Sequence, residues 1–118
     1  MNTLRSLAVG LVLSMTAISA AAAGPHTRLY DAIAGEDTIV DLSICSHVVD
    51  MEVIGDGGTD LDFYIYDSQG FEMYANESLA DWMSGTFTQD YSGCVDYELH
   101  VFNNGHWNNR FVVRLTDL

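Results

Sequence analysis

Residues 55–70, GDGGTDLDFYIYDSQG, constrain the fold more than any other part of the chain. A glycine-rich acidic turn leads into a run in which Leu61, Phe63 and Ile65 alternate with Asp60, Asp62, Tyr64 and Tyr66, and a second turn closes it. Successive side chains on a strand point to opposite faces. A period of two therefore turns one apolar face to a core and one polar, aromatic face to water.

The same alternation, punctuated by Gly, Asp, Asn and Ser, predicts strands over 29–33, 38–44, 48–54, 61–66, 71–74, 83–89, 96–103 and 109–116. Inward faces follow: Val40, Leu42 and Ile44; Val49, Met51 and Val53; Tyr97, Leu99 and Val101; Phe111, Val113 and Leu115. About eight short antiparallel strands with one shared core predict an all-β, jelly-roll-like sandwich. Residues 78–83 could instead open a helical turn, and Trp82 and Trp107 are candidates to cap the ends of the core. Asn104 and Gly105 offer a hairpin turn between the last two strands. Pairing Asn103 with Asn109 would set Leu99 opposite Val113 and Val101 opposite Phe111, with Glu98 opposite Arg114 and Phe102 opposite Arg110 on the outer face.

Upstream, Arg5, an apolar run over 7–18 and small residues at 20–23 read as a secretory signal peptide cleaved after Ala23. The rival reading is a membrane anchor, but the apolar run is shorter than the roughly 20 residues a hydrocarbon core needs. The expected organisation is a signal peptide at 1–23 and a single domain at 24–118, periplasmic or extracellular, with no stable membrane anchor after cleavage. About 95 residues suffice for one modest core and are too few for a large catalytic cleft.

The chain carries seventeen Asp and Glu against four Lys and Arg, a formal net charge of −13, and no lysine. Such a charge argues against a nucleic-acid partner. It fits a surface kept soluble in salty water, a set of divalent-cation sites, or a basic partner. Cys45 and Cys94 are the only cysteines. In an exported chain an even pair most simply means one disulfide, the alternative being two thiols packed as small hydrophobes.

The block GDGGTDLDFYIYDSQG, followed by YELHVFNNGHWNNRFVVRL, resembles the bacterial pre-peptidase C-terminal domain. The resemblance covers most of the chain after residue 23 and implies a jelly-roll-like β-sandwich. In that family the module usually trails a secreted peptidase, which this sequence does not contain, so the role of maturing or targeting an attached enzyme is not carried over. Some members are calcium-stabilised or bind collagen, and no motif here transfers either property residue by residue.

Asp56, Asp60 and Asp62 bring three hard oxygen ligands to one glycine turn and are the candidate calcium ligands. Calcium is accordingly the candidate cofactor. Their spacing does not match an EF-hand, where Gly58 and Leu61 occupy the wrong positions, and a turn whose aspartates accept backbone amides is the competing reading. His26, His47, His100 and His106 are scattered, and Pro25 lacks the amide proton that an amino-terminal copper site would need. Tyr64 and Tyr66, with Trp107 at a loop tip, are the candidate ligand-binding side chains, able to stack on a sugar or peptide beside carboxylates. No nucleophile elbow, His-Glu-x-x-His helix or phosphate loop is present, so no catalytic residue is assigned and the chain is not expected to be an enzyme. The expectation is a non-catalytic accessory module contacting an envelope or extracellular protein or polysaccharide. The alternative is an acidic structural or stress-related envelope protein without a specific ligand.

Overall fold

A computed structural model describes residues 17–20, 25–89 and 93–118. Its strands are β1 (Ala17–Ala20), β2 (Pro25–Ala32), β3 (Asp37–Ile44), β4 (Val48–Gly55), β5 (Leu61–Asp67), β6 (Glu72–Asn76), β7 (Trp82–Thr88), β8 (Val95–Asn103) and β9 (Asn109–Asp117). They form a five-stranded sheet in the order β1-β3-β8-β5-β6 and a four-stranded sheet in the order β2-β9-β4-β7. All neighbours are antiparallel except β1, which runs parallel to the edge of β3 with Ala17 beside Asp41 and Ala20 beside Ile44. Among the described residues no helix is long and apolar enough to cross a membrane.

The core lies between the two sheets, where the inward faces expected from alternation meet. Leu61 and Phe63 from β5 and Leu99 and Val101 from β8 are fully buried, as are Val53 of β4 and Phe111, Val113 and Leu115 of β9. Each such side chain stabilises the fold by about 1.5–3 kcal/mol relative to exposure. Tyr30 of β2 stacks on Phe111 with ring centroids 5.4 Å apart, which closes one flank of the core. At the other end of the sandwich Cys45, just after β3, is bonded to Cys94, just before β8 (S–S 2.03 Å), so the bridge staples two strands that are already neighbours.

Several expectations are corrected. β8 and β9 do not pair: β8 lies between β3 and β5, and β9 between β2 and β4 in the opposite sheet. The Asn104–Gly105 loop is thus a crossing between sheets. Buried Asn103 fixes this crossing: its Nδ2 donates to the Ala32 carbonyl of β2 (2.9 Å) and to the Trp107 carbonyl within the loop (2.8 Å), and its Oδ1 accepts from Gly105 N–H (2.9 Å). Arg114 consequently faces Glu52 of β4, and Arg110 faces Asp31 of β2. No helical turn forms over 78–83, where Trp82 opens β7 instead. Trp82 and Trp107 do not cap the core, being 57% and 74% exposed. Of the proposed leader, residues 1–16 and 21–23 lie outside the described residues, as does residue 24 on the far side of the expected cleavage site.

Candidate functional site

The turn that holds Asp56 is built by carboxylates accepting backbone amides. Asp56 Oδ1 accepts from Gly58 N–H (2.9 Å) and its Oδ2 from Arg110 N–H (3.1 Å). Asp81 Oδ2 takes Gly57 N–H at 2.6 Å, where Gly57 holds φ of +84°, a conformation glycine adopts without a Cβ clash. Buried Asn109 ties the pieces together, its Oδ1 accepting from Asp56 N–H (2.9 Å) and its Nδ2 donating to Thr59 Oγ1 (2.9 Å). Both oxygens of Asp56 are therefore engaged by amides. Asp62 turns a different way: its Oδ2 accepts from Asn104 Nδ2 (3.0 Å), while Oδ1 and the Oδ1 of Asp60 are buried without a hydrogen-bond partner. Among the described residues no three His, Cys, Asp or Glu side chains converge in a way that could hold a metal ion.

The second turn of the 55–70 stretch has the same logic. Asp67 Oδ1 accepts from the N–H groups of Gln69 and Phe71, both at 2.9 Å, and Gly70 supplies the positive φ of +88° that closes it. This turn forms one wall of a concavity beside β5.

That concavity lies on the outer face of the five-stranded sheet, and register explains its composition. Asp62, Tyr64 and Tyr66 on β5 stand opposite Phe102, His100 and Glu98 on β8, which in turn stand opposite Asp37, Ile39 and Asp41 on β3. His100 is the centre of this grid and is buried although it points outward. Tyr66 packs on its ring edge-on, with centroids 4.7 Å apart, while Nε2 lies 3.0 Å from Glu98 Oε1 and Nδ1 3.7 Å from Asp37 Oδ2. Tyr64 donates its hydroxyl to Glu77 Oε2 (2.6 Å), and that bond to a carboxylate, with burial second, raises the phenol's pKa well above its usual value. Beyond Tyr66 the face sinks into a depression of about 570 Å³, lined by Asp41, Ser43, Asp67, Ser68, Asp96 and Glu98 among others.

The electrostatics of this face are one-sided. Asp37, Asp41, Asp62, Asp96 and Glu98 point outward from β3, β5 and β8, and no Lys or Arg joins them on those strands. Asp41 holds its proton more tightly than a free carboxyl, chiefly because it is partly buried and then because Glu98 and Asp96 repel its charge, with His100 acting in the opposite sense. Burial, Asp60 and Glu77 push Asp62 the same way. Directly opposed carboxylates such as Asp41 and Glu98 weaken a sheet rather than strengthen it.

Of the residues singled out in the sequence, Tyr64 and Tyr66 sit on this face, and Asp62 at its far end. Trp107 does not join them: it lies past the end of β8 on the crossing loop, roughly 20 Å or more from Asp96 at the strand's start. The side chains that line the depression, Asp41, Asp67, Asp96 and Glu98, were not singled out, and His100 was set aside as isolated. The signal present in the sequence was acid among the outward positions of β3 (Asp37, Asp41) and β8 (Asp96, Glu98); what it lacked was the pairing that brings these strands to β5.

No family model matches the chain, and no curated protein matches it. Solved structures do. The pre-peptidase C-terminal domain of the collagenase from Bacillus anthracis aligns with a TM-score of 0.61 and 11% identity, over 86% of this chain and 95% of that one. The Aeromonas hydrophila protein PliG, a periplasmic lysozyme inhibitor of g-type lysozyme, aligns with a TM-score of 0.48 and 12% identity, over 86% of this chain and 95% of its own. At such identity the likeness to the collagenase domain is one of architecture. The chain has the fold of a pre-peptidase C-terminal domain.

Proposed function

We propose that this chain is an exported, non-catalytic binding module that presents the outer face of the sheet formed by β3, β8, β5 and β6 to a basic protein outside the cytoplasm. The observation that carries the reading is the depression beside Tyr66, whose walls supply Asp41, Asp67, Asp96 and Glu98 and no basic side chain. Carboxylates placed so that they repel one another are costly in the free protein, and an arginine or lysine side chain entering between them relieves that cost. Tyr64 and Tyr66 add flat apolar surface next to the charge, the combination that suits a guanidinium. The Cys45–Cys94 bridge supports an oxidising compartment, in keeping with the leader-like amino terminus.

The test is the affinity of a fluorescent arginine-rich peptide for the exported chain and two variants. Neutralising Asp41 and Glu98 together (Asp41→Asn with Glu98→Gln) removes about 1–2 kcal/mol of partly exposed charge pairing, a roughly five- to thirtyfold loss of affinity. Asp50→Asn with Glu52→Gln, on the other sheet, removes the same charge and leaves affinity within about twofold. Equal losses in both variants would mean that the peptide reads net charge and not this face.

A further inference from the structure

The four-stranded sheet turns a different surface to solvent. On its outer face Leu29 is paired with Val112, Val112 with Ile54, and Ile54 with Trp82, so one apolar row crosses all four strands. Leu29, Ile54 and Trp82 are 58%, 48% and 57% exposed. A one-sided antiparallel sheet ordinarily shows polar residues there. Ion pairs bracket the row: Arg110 Nε lies 3.1 Å from Asp31 Oδ1 on one side, and Arg114 Nη1 lies 3.8 Å from Glu52 Oε1 on the other.

We propose that this face is an interface between two copies of the chain, with the Leu29–Val112–Ile54–Trp82 row at its centre. Charge selects a second copy as the occupant. A chain of net charge −13 repels itself in most orientations, and the outer face of the five-stranded sheet, with its carboxylates and no Lys or Arg, cannot meet another like it. The opposite face holds Arg110 and Arg114, two of the four basic residues in the sequence, beside Asp31, Asp50 and Glu52, so apolar surface coincides there with the least one-sided charge of the two sheet faces. A two-fold axis running along the strands between β9 and β4 also makes the face complementary to itself. It sets Val112 over the partner's Ile54, Leu29 over the partner's Trp82, and Arg114 over the partner's Glu52. The Arg114–Glu52 pair can then extend across the contact and is repeated by the axis, as an isologous interface requires.

Strands of 7–9 residues, four abreast, give a face of roughly 25 by 19 Å, so two copies bury on the order of 1,000 Å² in total. That is the lower end for specific association, and the dimer is accordingly weak, with dissociation in roughly the micromolar to millimolar range. Salt gives the interface a signature opposite to that of a cation held on the other sheet: screening the net repulsion strengthens the dimer, whereas it weakens binding of a basic partner. The two readings therefore fail separately.

Sedimentation of the exported chain at about 0.1 M and about 1 M salt, where the screening length falls from about 10 to about 3 Å, tests the proposal. The weight-average mass is expected to climb from monomer toward a dimer plateau with concentration, and to do so at lower concentration in high salt. In a Trp107→Phe background the emission of Trp82 shifts to the blue over the same range. Leu29→Thr with Ile54→Thr keeps strand-forming residues and returns the chain to monomer; Trp82→Thr, on the edge strand β7, is the second variant should the first not fold. A monomer at every concentration and salt, a dimer indifferent to a folded variant, or growth past the dimer without a plateau would each overturn it.

Discussion

Asn103 decides where the chain leaves one sheet for the other, and replacing it with alanine tests that role. The side chain is fully buried and makes three hydrogen bonds of 2.8–2.9 Å, to the Ala32 carbonyl, the Trp107 carbonyl and Gly105 N–H. Removing it leaves the Ala32 carbonyl, the deepest of the three partners, without a donor, which costs about 1–3 kcal/mol. The Trp107 and Gly105 groups lie nearer the surface, where water replaces the lost bonds at about 0.5–1 kcal/mol each. The sum is about 2–5 kcal/mol, and for a domain of this size about 4–8 °C of melting temperature goes with each kcal/mol. Asn103→Ala should therefore lower the melting temperature by roughly 8–40 °C, with the urea midpoint falling and the urea slope unchanged. Asn103→Asp is the sharper companion: it keeps the acceptor for Gly105 but aims a carboxylate at two carbonyl oxygens, so its defect should exceed that of alanine at neutral pH and shrink in acid. A loss below about 0.5 kcal/mol for alanine would refute the reasoning and return the crossing loop to a passive connection.

Replacing Cys45 and Cys94 together by serine opens a loop with a sequence separation of 49, worth about 4 kcal/mol in the chain-entropy model as an upper figure. Urea unfolding should show a loss of about 2–4 kcal/mol, and a loss under about 1 kcal/mol would mean that strand pairing alone holds β3 to β8. Asp41 and Asp62 have raised pKa values when folded, so the folded chain binds more protons than the unfolded one between the usual carboxylate range and those raised values. Their contribution to stability therefore grows as pH falls from neutral toward that window and is lost as pH rises through it. The melting temperature of Asp41→Asn with Asp62→Asn should change less between pH 7 and about pH 5 than that of the parent, and an unchanged dependence would remove these groups from the account.

Much of the fold was legible because a strand writes its burial every second residue. Leu61, Phe63 and Ile65, or Phe111, Val113 and Leu115, could be assigned inward without knowing any neighbour, and all are buried. Pairing is not written that way. Asn104 and Gly105 serve a hairpin and a crossing between sheets equally well, and the choice rests on Asn103 reaching Ala32, 71 positions upstream. The arginines illustrate the consequence: Arg114 faces Glu52 and Arg110 faces Asp31, partners invisible until the strand order is known. The candidate site was half legible for the same reason. Tyr64 and Tyr66 stood out on their own strand, whereas Asp41 and Glu98 become one site with them only because β8 is laid between β3 and β5. The parallel strand at Ala17–Ala20 had no signal of its own, lying in a stretch whose composition reads as a leader.

The most direct test of the proposed binding face is an amide chemical-shift map of the chain titrated with an arginine-rich peptide at moderate salt. If the depression beside Tyr66 is the site, saturable shifts will cluster at residues 41–43, 67, 68, 70 and 96–98, which line it, and at Tyr66 and His100 next to it. Shifts centred instead on the turn of Asp56 and Asp81, on Trp107, or on the outer face of the four-stranded sheet, or spread without saturation over every acidic stretch, would contradict the account.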